Sequence, residues 1–134
     1  MFESTIAFYS KLLADILNQK THSFSKATSS EVPAASGVFV IHDNSLKQII
    51  YAGRSKNLRI RLLQQHKRGN IGGSQFRKAL GQKLNFESER KISEYILDNC
   101  IFQFLPVEGF KEMVRLEHFI TAILAPTLNT ELKQ

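Results

Sequence analysis

The sequence predicts a small α/β domain of the α+β kind: a three-stranded antiparallel sheet flanked by helices, with an extra N-terminal helix in front. Three observations carry this expectation. Two runs rich in β-branched and aromatic residues, Gly37 to Ile41 and Gln48 to Ala52, flank the turn formers Asp43-Asn44-Ser45 and read as a hairpin. Helical periodicity then governs most of residues 55–99. A third apolar run, Cys100 to Val107, precedes a last helical stretch that Pro126 stops. At 134 residues and 43% hydrophobic content, the chain is long enough for one modest core.

The elements follow in order. Glu3 to Asn18 repeats apolar residues at helical spacing (Ile6, Tyr9, Leu13, Ile16, Leu17), which predicts an amphipathic helix. Thr21 to Ser36 is rich in Ser, Thr and Ala and holds Pro33, so it reads as a linker. This divides an N-terminal helix and linker, residues 1–35, from the main domain, residues 36–134. In the hairpin, a turn centred on Ser45 sets Phe39 opposite Tyr51. A slip of one residue sends the two rings to opposite faces, because side chains alternate along a strand. Ser55 is placed to cap a helix running to Arg68, with Leu58 and Leu62 on its buried edge and Gly69 at its end. On that helix Arg61 and Arg68, seven residues apart, fall almost in line on one outer face. After Ile71-Gly72-Gly73, Ser74 caps a short helix to about Gln82. Glu87 to Asn99 forms the next helix, and Gly109 to Ala125 the last.

Composition narrows the function classes. The apolar N-terminal segment is interrupted by Lys11 and Asp15 and is followed by no small-residue cleavage site, so it reads as neither signal peptide nor membrane span. A single cysteine, Cys100, permits no internal disulfide, and a reducing, cytoplasmic setting is the expectation. Charge is uneven. Residues 54–83 hold nine basic side chains and no acidic one, while the rest of the chain carries a net charge of −3. The basic set is Arg54, Lys56, Arg59, Arg61, Lys67, Arg68, Arg77, Lys78 and Lys83. An acid-free stretch of this length is the footprint of a polyanion site, and Gln64, Gln65, Gln75 and Gln82 add amides that can meet phosphates or base edges. The plain alternative is a solvated helical face. A membrane surface is disfavoured, since the basic helix has no Trp/Phe-rich apolar face.

Glu117 stands out on the last helix. At about 100° per residue its angular neighbours are Phe110, Met113, Val114, Ile120 and Leu124, all within about 60° of it. A carboxylate inside that apolar stripe faces the core, where an unpaired charge costs several kcal/mol. Glu117 must therefore pair with an arginine, be protonated, or hold a metal ion.

Taken together, Gly37-Val38-Phe39, Tyr51-Ala52-Gly53-Arg54-Ser55-Lys56-Asn57-Leu58, Arg61-Leu62, Glu117 and Asn129 resemble the GIY-YIG nuclease superfamily over residues 36–129. The resemblance implies a divalent-metal-dependent endonuclease that hydrolyses DNA phosphodiester bonds. It makes Tyr51 the base that deprotonates the attacking water and Arg61 the clamp on the scissile phosphate. Glu117 becomes the ligand of one ion, Mg2+ or Mn2+. Arg54 supports them, and Asn129 shapes the site by hydrogen bonding. An ordinary phenol ionises near pH ~10, so Tyr51 needs positive charge beside it, which Arg54, Arg61 and the metal can supply. Phe39 stands where most members have Tyr and lacks that hydroxyl. His42, His66 and His118 are the side chains that can replace it.

For the polyanion itself the expected contacts are Arg54, Lys56, Arg61, His66, Lys67, Arg68, Arg77 and Lys78, with DNA as the partner and RNA not excluded. Two other classes compete. One is a nucleic-acid-binding module on the same fold, its cleavage weakened or lost through Phe39. The other is an interaction protein that docks a partner, or a second copy of the chain, through the N-terminal helix.

Overall fold

The structure, a computed structural model, describes residues 1–129. The first helix, α1, spans Glu3–Leu17. The strands are β1 (His22–Ser23), β2 (Gly37–Asp43), β3 (Gln48–Ser55) and β4 (Cys100–Pro106). Between β3 and β4 lie α2, which opens as Leu58–Ile60 and continues as a π-helix over Arg61–His66, then α3 (Gln75–Leu84) and α4 (Glu89–Asn99). The last helix, α5, is Phe110–Leu124. No helix among the described residues is long and apolar enough to cross a membrane. The predicted end of the main domain, at residue 134, lies outside the described residues.

The sheet has four strands rather than three, in the order β1-β4-β2-β3, and every pairing is antiparallel. The additional strand comes from the stretch that reads as a linker. His22 and Ser23 pair with Phe102 and Ile101 on the outer edge of β4. Two residues of Ser/His composition hold no strand periodicity of their own, so only the pairing edge of β4 makes them a strand. The same stretch buries Phe24 and Val32 in the core, and the carbonyls of Pro33 and Ala35 accept the amides of Arg59 and Leu58 at the start of α2.

Register is where local reading fails. The hairpin closes with Asp43 opposite Gln48, which on its own would put Phe39 and Tyr51 on opposite faces. A bulge between Ile41 and His42 inserts Ile50 as an extra residue on β3 and restores the parity. Phe39 then faces Gly53, Ile41 faces Tyr51, and both rings stand on one face with their centroids 6.3 Å apart. This diagonal arrangement explains the glycine of the second tripeptide. A Cβ on Gly53 would sit 2.6 Å from the Phe39 ring. In the first tripeptide, a Cβ on Gly37 would meet the Leu105 carbonyl oxygen at 2.4 Å.

Helices cover both faces. On one, Phe39, Ile41 and Phe102 pack with Leu58 and Leu62 of α2, Phe76 and Leu80 of α3, and Ile92 and Ile96 of α4. On the other, Val38, Val40 and Ala52 pack with Tyr9 and Ile16 of α1 and with Met113, Leu116 and Ile120 of α5. β2 is consequently buried along nearly its whole length. β3 keeps one edge outside the ladder, and there the candidate site residues gather.

Candidate active site

At that edge a cleft of about 730 Å³ opens between α2, the 71–75 loop and α5. It brings together Phe39, Tyr51, Arg54, Lys56, Arg61, Gln65, His66, Gln75, Glu117 and Asn129. The topology explains how. Tyr51 rises from the sheet face packed on α2 and α3, whereas Glu117 belongs to α5 on the opposite face. The two approach around the rim of β3. Arg54, one register parity away from Tyr51 and Gly53, stands on the α5 side.

The segment that follows α5 closes this rim. Leu128 donates its backbone N–H to Ile50 O at 2.9 Å. Asn129 accepts from the Ala52 amide at 2.9 Å through Oδ1 and donates to the Ala52 carbonyl at 2.8 Å through Nδ2. Its carboxamide thus imitates a neighbouring strand, satisfying both backbone groups of the residue next to Tyr51. Asn129 acts as a positioner of β3 and is buried.

Glu117 is paired. Its Oε1 accepts a hydrogen bond from the Arg54 guanidinium, and the Thr121 hydroxyl shares its proton between the Glu117 backbone carbonyl, the nearer acceptor, and Oε2 at 3.1 Å. Of the three fates open to the carboxylate, the structure displays the arginine pair. Thr121, one turn along α5, is a support that sequence pattern did not single out, although an i, i+4 hydroxyl is within reach of any helical carboxylate. The Glu117 side chain is 13% exposed and that of Arg54 is 36% exposed, so the pair lies at the cleft wall and not in the core.

The predicted cap at Ser55 is corrected. Ser55 ends β3, and its hydroxyl bridges the N–H and C=O of Asn57 at 2.9 Å each. Asn57 caps α2, accepting from Ile60 N at 3.1 Å. The predicted alignment of Arg61 with Arg68 is corrected too. Where hydrogen bonds close i to i+5, residues five apart share a face. The π-helix therefore turns Arg61 and His66 into the same cleft, and Arg68 does not line it. In an ordinary helix those two would point about 140° apart.

His66 is not the exposed phosphate contact expected at the end of a basic helix. Its ring is buried among Phe39, Tyr51 and Phe76, with centroids 5.4 to 5.9 Å away. Nδ1 is 2.7 Å from the Ser74 hydroxyl, and that oxygen also caps α3 by accepting from Arg77 N at 3.1 Å. Burial, reinforced by Arg61 and Arg77, lowers the imidazole to about 3, so the ring is neutral. The Nε2 of His66 and the Nε atoms of Arg61 and Arg77 are buried without a hydrogen-bond partner among the described residues. His42, by contrast, bonds Gln103 at 2.8 Å and lies outside the cleft, and His118 is exposed away from it.

Arg77 departs furthest from its expected role. Its side chain is 0% exposed. It donates to the carbonyls of His66, Lys67 and Glu89, to the Glu89 carboxylate and to the Ser93 hydroxyl, at 2.9 to 3.2 Å. It clamps the end of α2 and the whole of α3 to α4 and cannot reach a phosphate. Lys67, Arg68 and Lys78 lie outside the cleft, Lys67 half-buried and the other two exposed. Lys56 lines it and is exposed. Of the glutamines, Gln65 and Gln75 reach the cleft and Gln64 and Gln82 do not. Cys100 is buried, and burial pushes its thiol up to about 12, which makes it a poor nucleophile.

The cleft thus gathers three cations, Arg54, Lys56 and Arg61, with one carboxylate, Glu117, and one phenol, Tyr51. The chain belongs to the GIY-YIG catalytic domain family, whose model matches residues 24–134. No curated protein matches the sequence. Among solved structures, it is similar to the GIY-YIG N-terminal endonuclease domain of UvrC from Thermotoga maritima bound to magnesium. The two are 21% identical over 73% of this chain and 86% of that one, with a TM-score of 0.45. A tyrosine-to-phenylalanine mutant of the same domain, bound to its catalytic divalent cation, gives 22% identity over the same shares and a TM-score of 0.45.

Proposed function

We propose that this protein is a divalent-metal-dependent endonuclease that hydrolyses DNA phosphodiester bonds. The observation that carries the reading is the convergence of Tyr51, Arg54, Arg61, Glu117 and Asn129 on one cleft from five separate points of the sequence. Family membership supports nuclease chemistry.

The donor set suits a hard cation. Among the described residues no cluster of three or more His, Cys, Asp or Glu side chains could hold a metal, so a transition-metal cage is not the fit. A single carboxylate in a wide cleft suits Mg2+ or Mn2+, which keep several waters and need few protein ligands. Glu117 would hold that ion, with Thr121 steadying its second oxygen. When bound, the ion supplies positive charge to the phosphoryl oxygens.

The remaining work falls to the chain. Arg61 presents a buried Nε–H with no acceptor among the described residues, a donor left for a phosphate oxygen. There the guanidinium opposes the charge that builds in the five-coordinate transition state. Tyr51 takes the proton from the attacking water. Arg54 holds Glu117 in place before substrate arrives, and is close enough to exchange that partner for a phosphate. Asn129 fixes the backbone beside Tyr51 through Ala52.

Product analysis tests the reading. The protein should cut DNA with Mg2+ or Mn2+, leaving 5′-phosphate and 3′-hydroxyl ends, and should stop when the metal is chelated. DNA bound tightly yet left uncut with either metal, up to alkaline pH, would sink the nuclease reading and leave a binding module. A flat plot of log affinity against log salt would remove nucleic acid altogether.

A further inference from the structure

Large exposed apolar side chains are not scattered evenly over this protein. One group surrounds α1 (Phe2, Ile6, Phe8), and a second sits at the mouth of the cleft. There Ile60 is 40% exposed, Ile71 49% and Phe110 60%. They come from three elements: α2, the loop before α3, and the first residue of α5. All three border a cleft whose charged lining residues are Arg54, Lys56, Arg61 and Glu117. A site that touched only the sugar-phosphate surface of a duplex would be rimmed by polar groups. An apolar and aromatic rim beside phosphate-binding cations is instead the composition of sites that stack or wedge unstacked bases.

Phe110 is the member placed to stack. With Met113 and Glu117 it follows the spacing i, i+3, i+7, and all three line the cleft. It stands two helical turns from Glu117, roughly 10 Å along the axis of α5. B-DNA rises ~3.4 Å per base pair, so Phe110 meets a nucleotide near the scissile phosphate and not one a helical turn away.

On the basis of the nuclease reading, we infer that the substrate carries an unpaired nucleobase beside the cleavage point, stacked on Phe110 and flanked by Ile60 and Ile71. Forked, flapped or looped DNA meets this requirement, and fully paired DNA meets it only after a base is unstacked.

The test uses the absence of tryptophan from the chain. Phe110→Trp installs a single tryptophan, excitable apart from the three tyrosines, at an exposed position where folding is not at stake. With metal chelated to prevent cutting, three DNAs are titrated: a blunt duplex, a forked duplex, and the same fork with abasic nucleotides in its arms. Trp emission should fall several-fold with the fork and change little with the other two. Phe110→Ala should bind the fork about tenfold more weakly than the parent, the loss expected of one base–aromatic stack. Equal quenching by the normal and abasic forks, or no quenching by a fork that binds, overturns the inference. Cleavage with Mg2+ separates the two readings. A protein that cuts DNA without selective quenching keeps the nuclease and loses the stacked base. One that shows selective quenching and never cuts does the reverse.

Discussion

Two of the arginine–glutamate pairs among the described residues, Arg77–Glu89 and Arg54–Glu117, do opposite things. Arg77 is fully buried, and its guanidinium meets five acceptors, three of them backbone carbonyls. Arg54 is a third exposed and has Glu117 as its carboxylate partner at the cleft wall. The first is a rivet between α2, α3 and α4, because removing it strands several buried carbonyls at once. The second is exchangeable, since water and incoming ligands can replace either partner. What separates the two ion pairs is the number of fixed acceptors and access to solvent, and not the residue types.

The largest expected effect breaks the cleft pair. Glu117→Gln should lower cleavage by on the order of 10²–10³-fold, the scale of losing one electrostatic contact to the transition state. Stability should change by less than about 1 kcal/mol, because Arg54 remains partly solvated. Single-turnover cleavage and urea denaturation of the same preparation check both halves. A loss of stability as large as the loss of activity would mean that Glu117 is a structural partner of Arg54 and nothing more.

Breaking the rivet should reverse that pattern. Arg77→Ala should destabilise the fold by about 3 kcal/mol or more, read from denaturant midpoints at constant slope. Arg77→Lys should not rescue it, because an ammonium has three donors on one nitrogen and cannot reach five acceptors spread over two guanidinium nitrogens. DNA affinity per folded molecule should hold, since this side chain does not face the cleft. A selective loss of affinity in a stable Arg77→Ala protein would return it to the list of DNA contacts.

The buried imidazole beside the rivet offers a milder test. His66 titrates near 3 in the folded protein against 6.5 as its ordinary value. Unfolding therefore takes up a proton at any pH between those values. Stability is complete above about pH 6.5, falls as pH drops by on the order of 1 kcal/mol per unit, and stops falling near 3. In His66→Gln that part of the slope should vanish. An unchanged pH profile in the variant would mean that other groups govern the acid limb.

The smallest effect is expected at Phe39. Phe39→Tyr adds one hydroxyl on the face that carries Tyr51 and His66. It should raise the cleavage rate by a few-fold or shift its pH dependence toward neutral, if proton transfer limits the rate. An unaltered rate and profile would show the position to be packing alone. The comparison between rivet and cleft would stand, but the missing tyrosine would have no chemical consequence.

Local pattern was legible where its cause is local. Ser74 and Ser88 cap helices whose starts lie within two residues of the expected positions. The apolar stripe around Glu117 stated in advance that the carboxylate needed a partner. Capping, periodicity and turn chemistry act over three to seven residues, so one sequence displays them whole.

Everything that distinguishes the two arginines was decided at long range. Arg54 and Arg77 belong to the same acid-free stretch and look alike there. One reaches Glu117, 63 residues away, and the other closes on α4. The bulge at Ile50, which sets Phe39 and Tyr51 on one face, leaves no mark in composition. β1 exists only because β4 offers it an edge. The sequence by itself determined the helices, the three longer strands, the tripeptides and the demand for a charge partner. Only tertiary structure decided which arginine answered it, because pairing and burial depend on contacts that no local period encodes.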